Sequence, residues 1–271
     1  MNHLHRELAP ISDAAWEQIE QEAQFMLRTA LAGRKLVDVS GPLGWDASSV
    51  SRGRANPSAE ELAQGVAVRV RQVRPLVELR VPFDVSRAEL DAISRGAPDP
   101  DLASVSEAAR KAAMAEDAFL FHGFAEIGSP GLVDSADDPV ELSQDFDYER
   151  FPDKVVEALA KLRLQGIEGP YAVALGPRCY EGVTSTTHAG GYPVLDHLRS
   201  FIDGPLVWAP ALSGSMVVSL RGGDFRLTLG SDFSIGYLQH STELVRLYIE
   251  ESIAFEVYEP AAAVPMSYGG R

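Results

Sequence analysis

The sequence has little cysteine and no long apolar run. It contains 271 residues with one cysteine, Cys179, so no disulfide can form within the chain, which is typical of a reducing compartment. No apolar run approaches the roughly 18 residues that a membrane-spanning helix needs. The first ten residues, MNHLHRELAP, lack the apolar stretch of a signal peptide. We therefore expect a cytoplasmic protein that has no membrane partner.

The motifs of common enzyme classes are also missing. The chain has no nucleophile elbow, phosphate-binding loop, dinucleotide fingerprint or Cys-x-x-Cys pair, and no Glu-x-x-His pair of the kind that holds two iron ions. His3 and His5 have alternate spacing, but they lie in a segment that we expect to be mobile. We therefore predict no enzyme, no metal and no cofactor; an enzyme with an unrecognised site is the alternative.

Basic residues are too few to balance the acidic ones. With 24 basic and 39 acidic residues, the formal net charge is −15. Nucleic-acid binding needs clustered cations against phosphate, so we predict no nucleic-acid partner, although a local basic patch would be compatible with this composition. With 45% hydrophobic residues, the chain can bury a substantial core in one large domain or two smaller ones.

The segment 31–45, LAGRKLVDVSGPLGW, combines helix-end, strand and turn signals. The helix before it is predicted from Ser12, a potential N-cap, to about Ala32, with apolar residues at helical spacing. Gly33 is predicted to end this helix as a C-terminal glycine. The glycines and the proline further on predict turns, so we expect the segment to join a compact body to an extended arm.

The rest of the chain alternates between strand and helix patterns. Residues 65–83 alternate valine and arginine and predict a long exposed strand, which would be an aggregation hazard without a pairing partner. A capping box at Ser104 and Glu107 predicts a long helix to about His122. Further helices are predicted at 84–95, 152–166 and 193–202, and further strands at 171–175, 206–209, 234–239 and 244–258. A hairpin is predicted to join strands 216–220 and 225–229. We also predict a loop region at 128–147 and a tail from 261 with a mobile end.

Two carboxylates of the long predicted helix, Glu116 and Asp117, could be interpreted as a catalytic acid pair. Adjacent positions on a helix point about 100° apart, so the two groups would not face one substrate. We therefore expect a structural or solvated role for both. His122 is expected to be a helix-end residue rather than a ligand.

Several pieces of the sequence resemble the encapsulins, which are bacterial shell proteins with the fold of tailed-phage capsids. Each piece alone is a weak signal, but their order and spacing make the resemblance specific. It runs from Leu4 to about Glu259 and so covers nearly the whole chain. The pieces are Leu8-Ala9-Pro10, segment 31–45, Glu78-Leu79-Arg80, Met114-Ala115-Glu116-Asp117, Gly169-Pro170-Tyr171, Gly191-Tyr192-Pro193 and RGGDFRLTLGSDFSIGY at 221–237.

The resemblance implies an α+β chain with the HK97-like capsid fold. The implied division is an N-terminal helix and arm at 1–48 as part of a P-domain, an E-loop at 49–82, the P-domain with its spine helix at 83–132, an A-domain at 133–225, and return strands with a C-terminal tail at 226–271. The E-loop would clasp the adjacent subunit; an internal hairpin is the alternative. Some encapsulins hold a flavin on an aromatic residue that Ser86-Arg87-Ala88-Glu89 lacks, so no flavin is expected.

The resemblance also implies two sites. A groove on the inner wall would bind the terminal peptide of a cargo protein in extended form, through Leu27, Leu31, Arg34, Asp38, Asp232, Ser234, Ile235 and Tyr237. A mutual surface pair of Arg34 and Asp38 is the alternative for those two residues. A small, polar, flexible loop would line a pore at the fivefold axis, or else be a surface loop without a transport role; its residues are Thr186, Thr187, His188, Ala189, Gly190 and Gly191.

The implied function is self-assembly into a container. One chain that makes heterologous contacts around fivefold and threefold axes closes into an icosahedral shell of roughly sixty copies. The expected cargo is a dye-decolourising peroxidase or a ferritin-like protein, with a role in oxidative-stress defence or iron storage. The alternative is a phage or prophage capsid protein that packages DNA, which the acidic charge and the lack of room for a scaffolding segment disfavour. A bacteriocin-like protease would need a signal sequence and a nucleophile that are missing.

Overall fold

The computed structural model describes residues 3–60 and 62–269. This part of the chain contains seven α-helices and eleven strands. The helices are α1 (Asp13–Ala30), α2 (Arg87–Ser94), α3 (Ala103–His122), α4 (Leu132–Ser135), α5 (Phe151–Leu164), α6 (Pro177–Ser185) and α7 (Val194–Arg199). The strands are β1 (Asp38–Ser40), β2 (Ser49–Pro57), β3 (Arg69–Pro75), β4 (Val77–Ser86), β5 (Val140–Leu142), β6 (Tyr171–Leu175), β7 (Leu206–Trp208), β8 (Ser215–Ser219), β9 (Phe225–His240), β10 (Leu244–Val257) and β11 (Ala263–Tyr268).

These strands form three sheets. The first has the order β1-β9-β10-β4, in which the long strands β9 and β10 are antiparallel, with Ile235 opposite Ile249. The second has the order β5-β11-β8-β6-β7 and mixes parallel with antiparallel pairs. The third is the exposed two-stranded hairpin β2-β3. The first sheet therefore joins β1 and β4, from the first third of the chain, to β9 and β10, from its last fifth.

Two apolar clusters hold these layers together. In one, α1, α2 and the first half of α3 cover the four-stranded sheet, with Trp16, Ile19 and Leu247 buried between them. The alanines of α3 at this point leave room for α1 to approach closely. In the other cluster, α5 and the end of α3 pack on the five-stranded sheet around Phe121 and Phe151. The long helix α3 thus belongs to both clusters and connects them.

The first helix begins as predicted but ends differently. The Ser12 hydroxyl accepts a hydrogen bond from the Ala15 N–H at 3.3 Å, as an N-cap does. The prediction that Gly33 ends the helix is wrong, because α1 stops at Ala30 and Gly33 begins a separate 3₁₀ turn. Glycine is needed there for space: an added Cβ would lie 2.8 Å from Leu120 Cδ1. Close approach to α3 thus explains this glycine.

The predicted capping box is also wrong. Helix α3 starts at Ala103, so Ser104 lies inside its first turn and does not cap it. The Asp101 carboxylate instead accepts a hydrogen bond from the Ala103 N–H at 3.0 Å. An aspartate two residues before the helix therefore takes up one of the free N–H groups of the first turn.

The predicted strand at 65–83 is in fact two strands in different sheets. β3 pairs with β2, whereas β4 pairs with β10 over ten residues. Strand β2 lies in a stretch of small polar residues that gave no strand signal, because its side chains are mostly exposed. The hairpin therefore projects beyond the four-stranded sheet, and its base continues into that sheet.

The predicted hairpin between 216–220 and 225–229 is wrong. β8 belongs to the five-stranded sheet and β9 to the four-stranded one, so the turn between them crosses from one sheet to the other. Arg221 forms an ion pair with Asp224 at 2.7 Å, and the Gly223 N–H donates to the Asp38 carboxylate at 2.6 Å. The local ion pair shapes the turn, and the long-range bond to Asp38 fixes the crossing. β9 then runs as one strand through 225–240.

Two further regions carry more structure than the sequence predicted. Residues 263–268 of the tail form the buried strand β11, between β5 and β8, while residues 270 and 271 lie outside the described residues. The region 128–147 contains α4 and β5, and α6 had no sequence prediction at all. His3, expected in a mobile segment, stacks on the Trp45 ring with 4.6 Å between centroids.

Candidate functional site

A groove with a cavity of about 620 Å³ lies between α1 and the part of β9 that follows Ser231. One wall is the helix face around Ala23 and Leu27, and the other is the strand at Ile235. The remaining residues around the cavity are Leu4, Arg6, Glu17, Glu20, Gln21, Gln24, Arg28, Leu31, Arg34, Asp232, Phe233, Ser234 and Ile249. The groove is apolar at its floor and carries charged groups along its rim.

The structure brings together most of the residues predicted for a peptide groove. Leu27, Leu31, Arg34, Asp232, Ser234 and Ile235 all line this cavity. Asp38 does not: it lies beside the sheet crossing, at a separate cavity of about 190 Å³. Tyr237 lies just past the groove, where its N–H donates to the Leu4 carbonyl oxygen at 2.8 Å.

Arg34 is held in a buried cluster of carboxylates. Its Nε lies 3.0 Å from Glu116 Oε1, and its Nη2 lies 2.7 Å from Glu116 Oε2 and 2.9 Å from Asp232 Oδ1. The same Nη2 forms an ion pair with Glu251, whose side chain is fully buried like that of Glu116. The alternative of a surface pair between Arg34 and Asp38 is therefore wrong, and Arg34 instead ties α3, β9 and β10 together.

Three carboxylates around one guanidinium do not all stay ionised. Burial, together with the charge of Glu116, raises the pKa of Glu251 to about 10, so this carboxyl carries a proton at neutral pH. Burial disfavours the charge of Arg34, but the hydrogen bond and the charge of Glu116 more than offset it and raise the pKa of Arg34. The buried part of the cluster is therefore close to neutral, and Asp232 carries the exposed charge at the groove rim.

The segment between α1 and β1 is fixed by a second buried carboxylate. Asp117 accepts hydrogen bonds from the N–H groups of Ala32 at 3.0 Å and Gly33 at 2.7 Å. Burial raises the pKa of Asp117 to about 6, although the two backbone donors act in the opposite direction. The structural role expected for Glu116 and Asp117 is confirmed, since both are buried and bonded to the segment that closes the groove.

Sequence reasoning missed Glu116 and Glu251 as neighbours of the groove. They come from α3 and β10, and Glu251 is 217 positions from Arg34 along the chain. One signal was available: Glu250 and Glu251 interrupt the apolar pattern in the middle of β10. A carboxylate at a buried strand position needs a partner; Arg34, in the turn after α1, supplies it for Glu251, and Arg80 supplies it for Glu250.

The predicted pore loop connects α6 to α7 and is tied at its base. Thr187 forms a bridge with Pro193, and the His188 N–H donates to the Tyr192 carbonyl oxygen at 2.9 Å. His188 Nε2 also lies 3.0 Å from Nδ1 of His197 on α7. Gly190 and Gly191 have positive φ angles at the tip. All six predicted residues lie in this loop, and the two glycines form its tip.

The groove offers apolar walls, a strand edge and fixed charges. Within residues 3–60 and 62–269, no group of three or more His, Cys, Asp or Glu side chains is placed to bind a metal ion. Over the same ranges, no helix combines the length and the apolar content needed to span a bilayer. The arrangement is suited to holding an extended chain by its apolar side chains and backbone.

Solved structures with the same fold define the class of this protein. A virus-like particle protein from Pyrococcus furiosus aligns with a TM-score of 0.63 over 92% of this chain and 98% of that chain, at 15% identity. The capsid protein of a native GTA particle aligns with a TM-score of 0.58 over 89% of this chain and 91% of that chain, at 16% identity. The chain is a capsid-fold protein, and the predicted α+β HK97-like fold is confirmed.

Sequence relatives define the family more narrowly. The family described as encapsulating protein for peroxidase matches residues 1–254. The type 1 encapsulin shell protein of Rhodospirillum rubrum is 53% identical over 98% of this chain and 96% of that protein. The one from Mycobacterium tuberculosis is 42% identical over 99% of this chain and the whole of that protein. This chain belongs to the type 1 encapsulin shell proteins: it is a structural protein that assembles into a capsid-like particle, and not an enzyme.

Proposed function

We propose that the chain builds a closed icosahedral container of about sixty copies around an enzyme, in the cytoplasm. The groove between α1 and β9 carries this proposal, because it places apolar walls and a strand edge where a partner's terminal peptide can bind. About sixty copies suit the smallest such shell, since each copy then occupies one equivalent position of the icosahedral group. Cys179, the sole cysteine, is free and buried, in agreement with a reducing compartment.

The proposed cargo is a dye-decolourising peroxidase or a ferritin-like protein, which would give the container a role in oxidative-stress defence or iron storage. The family description, encapsulating protein for peroxidase, supports the first of these cargoes. The net charge of −15 suits the second, because an acidic shell raises the local concentration of cations such as ferrous iron. Both proposals place the chemistry in the cargo and the enclosure in this chain.

The groove would bind the cargo peptide through apolar pockets and backbone pairing. Leu27 on α1 and Ile235 on β9 face the cavity from its two walls, and Leu31 closes its end near Arg34. Leu31 and Ile235 are 8% and 7% exposed, so they also belong to the subunit's own core. Leu27 is only half-buried, so of these three apolar residues it is the one whose change disturbs the fold least.

Replacing Leu27 with glutamate tests cargo capture. A charge on the apolar wall should exclude the peptide, so particles of about 1.8 MDa (about sixty copies of 29.3 kDa) should still form but lose at least nine-tenths of their cargo. The measurement is native mass and negative-stain imaging of particles made together with the cargo. The matched control is Thr29→Glu, an exposed position on α1 outside the groove, which should retain the cargo. Full loading of the L27E particles would refute the assignment, and nucleic acid inside them would favour a DNA-packaging capsid.

The loop Thr186–Gly191 is proposed as the lining of a pore at the fivefold axis. Its small residues and the two glycines at its tip leave an opening for small solutes, while the bonds to Tyr192 and His197 hold its base. A cargo enzyme would then exchange substrates through the pore that this loop lines.

The loop belongs to the proposed A-domain, residues 133–225. Residues 1–48, 83–132 and 226–271 form the proposed P-domain and its tail.

The E-loop is proposed at 49–82, and its exposed part, the hairpin β2-β3, is proposed to clasp an adjacent copy. Its strands carry five arginines and no acidic residue, within a chain whose net charge is −15. Arg74 is bonded to the Gly128 carbonyl oxygen at 2.8 Å, but Arg54, Arg69 and Arg71 are exposed and have no ionic partner among the described residues. These cations suit a carboxylate-bearing surface of the neighbouring copy.

Changing Arg69 and Arg71 to glutamine together should slow shell assembly about tenfold at low salt. Most of this difference should disappear at 1 M salt, where the Debye length is about 3 Å. The measurement is light scattering during reassembly from dissociated subunits. Arg95→Gln with Arg110→Gln removes two exposed charges elsewhere and should assemble at the wild-type rate. Equal assembly rates for both double variants at low salt would contradict the proposal that the hairpin arginines attract the neighbouring copy.

A further inference from the structure

The residues before α1 form part of the groove. We call residues 3–8 the N-terminal strap. Leu4 is 9% exposed, and Leu4 and Arg6 both line the cavity between α1 and β9. The strap therefore occupies space on the peptide-facing side of the groove rather than lying beside it.

The strap is bound to the edge of β9 by its backbone. The Leu4 carbonyl oxygen accepts a hydrogen bond of 2.8 Å from the Tyr237 N–H. At this point β9 pairs with β10 on its other side, with Tyr237 opposite Leu247 and Ile235 opposite Ile249. Because peptide groups alternate along a strand, the N–H of Ile235 faces the same edge as that of Tyr237. One edge therefore carries the strap at Tyr237 and the groove wall at Ile235.

Four side-chain contacts, two from His3 and two from Arg6, fix the strap. His3 Nε2 lies 2.8 Å from the buried Glu250 carboxylate, and the His3 ring stacks on Trp45. Arg6 lies over the Trp16 ring, with its Cζ 4.2 Å from the ring centroid, and pairs with Glu20 on α1. The strap thus bridges the two walls of the groove at one end.

The cavity that the strap leaves open is small for a peptide. A volume of about 620 Å³ lies within the range of about 300–1,000 Å³ that accommodates a drug-sized molecule. An extended peptide advances about 3.3 Å per residue along a strand edge. A tail that follows the β9 edge beyond Ile235 must therefore take the position of Leu4 at Tyr237.

We propose that the N-terminal strap is an in-chain competitor for the groove: it pairs with the β9 edge in the empty subunit, and an extended cargo peptide displaces it. This inference deepens the proposed peptide site and rests on it. It explains why Tyr237, predicted as a groove residue, is bonded to Leu4 instead of lining the cavity. The strap covers the Tyr237 end of the groove until a peptide binds. A peptide long enough to reach Tyr237 must displace the strap, whereas a shorter peptide binds beside it.

The test uses the full chain with Leu4→Asp, which places a charge at the strap's buried anchor. The probe is a fluorescein-labelled synthetic peptide with the sequence of residues 1–10, MNHLHRELAP, added while particles reassemble from subunits. The probe should bind L4D subunits at least tenfold more tightly than the wild type, because the edge is open. A probe with aspartate in place of its leucine at position 4 should bind neither. Leu8→Asp changes an exposed strap residue and should behave as the wild type. Equal binding of the probe to wild-type and L4D subunits would overturn the proposal that the strap competes for the groove.

A second measurement does not depend on the variant. In wild-type particles, hydrogen exchange at the amides of Leu8 and Ala9, which bond to His5 and Arg6, should become at least tenfold faster when cargo is loaded. Unchanged exchange on loading would also overturn the proposal. The L27E experiment is separate: if L27E particles keep their cargo while the probe still binds L4D, the strap pairs with the edge but cargo binds elsewhere.

Discussion

The variant Asp117→Ala should lower the unfolding free energy of the subunit by about 3–5 kcal/mol. Its carboxylate accepts hydrogen bonds from two buried N–H groups, of Ala32 and Gly33, and alanine leaves both without an acceptor. Because these donors hold the segment after α1 against α3, the groove should also lose its fixed end. The measurement is urea unfolding of dissociated subunits, and Asp134→Ala, at an exposed aspartate, is the matched control.

The same variant has a pH signature. The folded-state pKa of Asp117 is raised from 3.8 to about 6, so the folded subunit binds more protons than the unfolded chain between these values. The contribution of the Asp117 carboxyl to the free energy of unfolding is therefore fully present below pH 3.8. It falls as the pH rises from 3.8 to 6 and is constant above pH 6. The stability difference between wild type and D117A should be about 2 kcal/mol larger at pH 4 than at pH 7. A difference below about 1 kcal/mol at both pH values would contradict the role assigned to Asp117.

The variant Arg34→Met should cost about 3 kcal/mol at neutral pH, because it removes the only cation bonded to Glu116 in this buried cluster of the described chain. Glu251→Gln alone should cost less than about 1 kcal/mol, since the carboxyl of Glu251 already carries a proton there. Adding Glu116→Gln to R34M should recover part of the loss, because it removes the buried charge. Urea unfolding of subunits measures all three, and Arg110→Met, at an exposed arginine, is the control.

If R34M unfolds at the wild-type urea concentration, the cluster does not hold α3, β9 and β10 together. If E251Q is as costly as R34M, then Glu251 is ionised in the folded subunit and the buried part of the cluster is not close to neutral. The two single variants therefore separate the role of the cation from the protonation of its neighbour. Cargo loading should be measured on the stable variants only, so that loss of fold and loss of the groove remain distinct.

Elements with strong local periodicity were predictable from the sequence. Helix α1, with Ser12 as its cap, and the alanine-rich α3 follow from helical spacing, and the order of the short motifs gave the fold class. The groove residues on α1 and β9 were predicted from the family resemblance, and six of the eight lie around one cavity. Each of these predictions depends on residues that are close in sequence and stay neighbours within one helix or strand.

Contacts between distant segments were not predictable. Gly33 was assigned to a helix end because of its position, whereas its small size is required by Leu120 on another helix. The Gly-Gly turn at 222–223 predicted a hairpin, but the bond to Asp38 carries the chain into a different sheet. Arg34 and Asp38 are close in sequence yet have unrelated partners. Spacing along the chain identifies neighbours within an element but not across sheets.

The position of β11 has a consequence for how the protein is made. β11 is synthesised after β5, β6, β7 and β8, yet it lies between β5 and β8 in the five-stranded sheet. Its parallel partner β5 precedes it by more than a hundred residues, as Val140 opposite Met266 shows, so this sheet depends on contacts of high sequence separation. A nascent chain therefore cannot close this sheet before β11 has left the ribosome, and until then the edges of β5 and β8 that β11 later pairs with stay open.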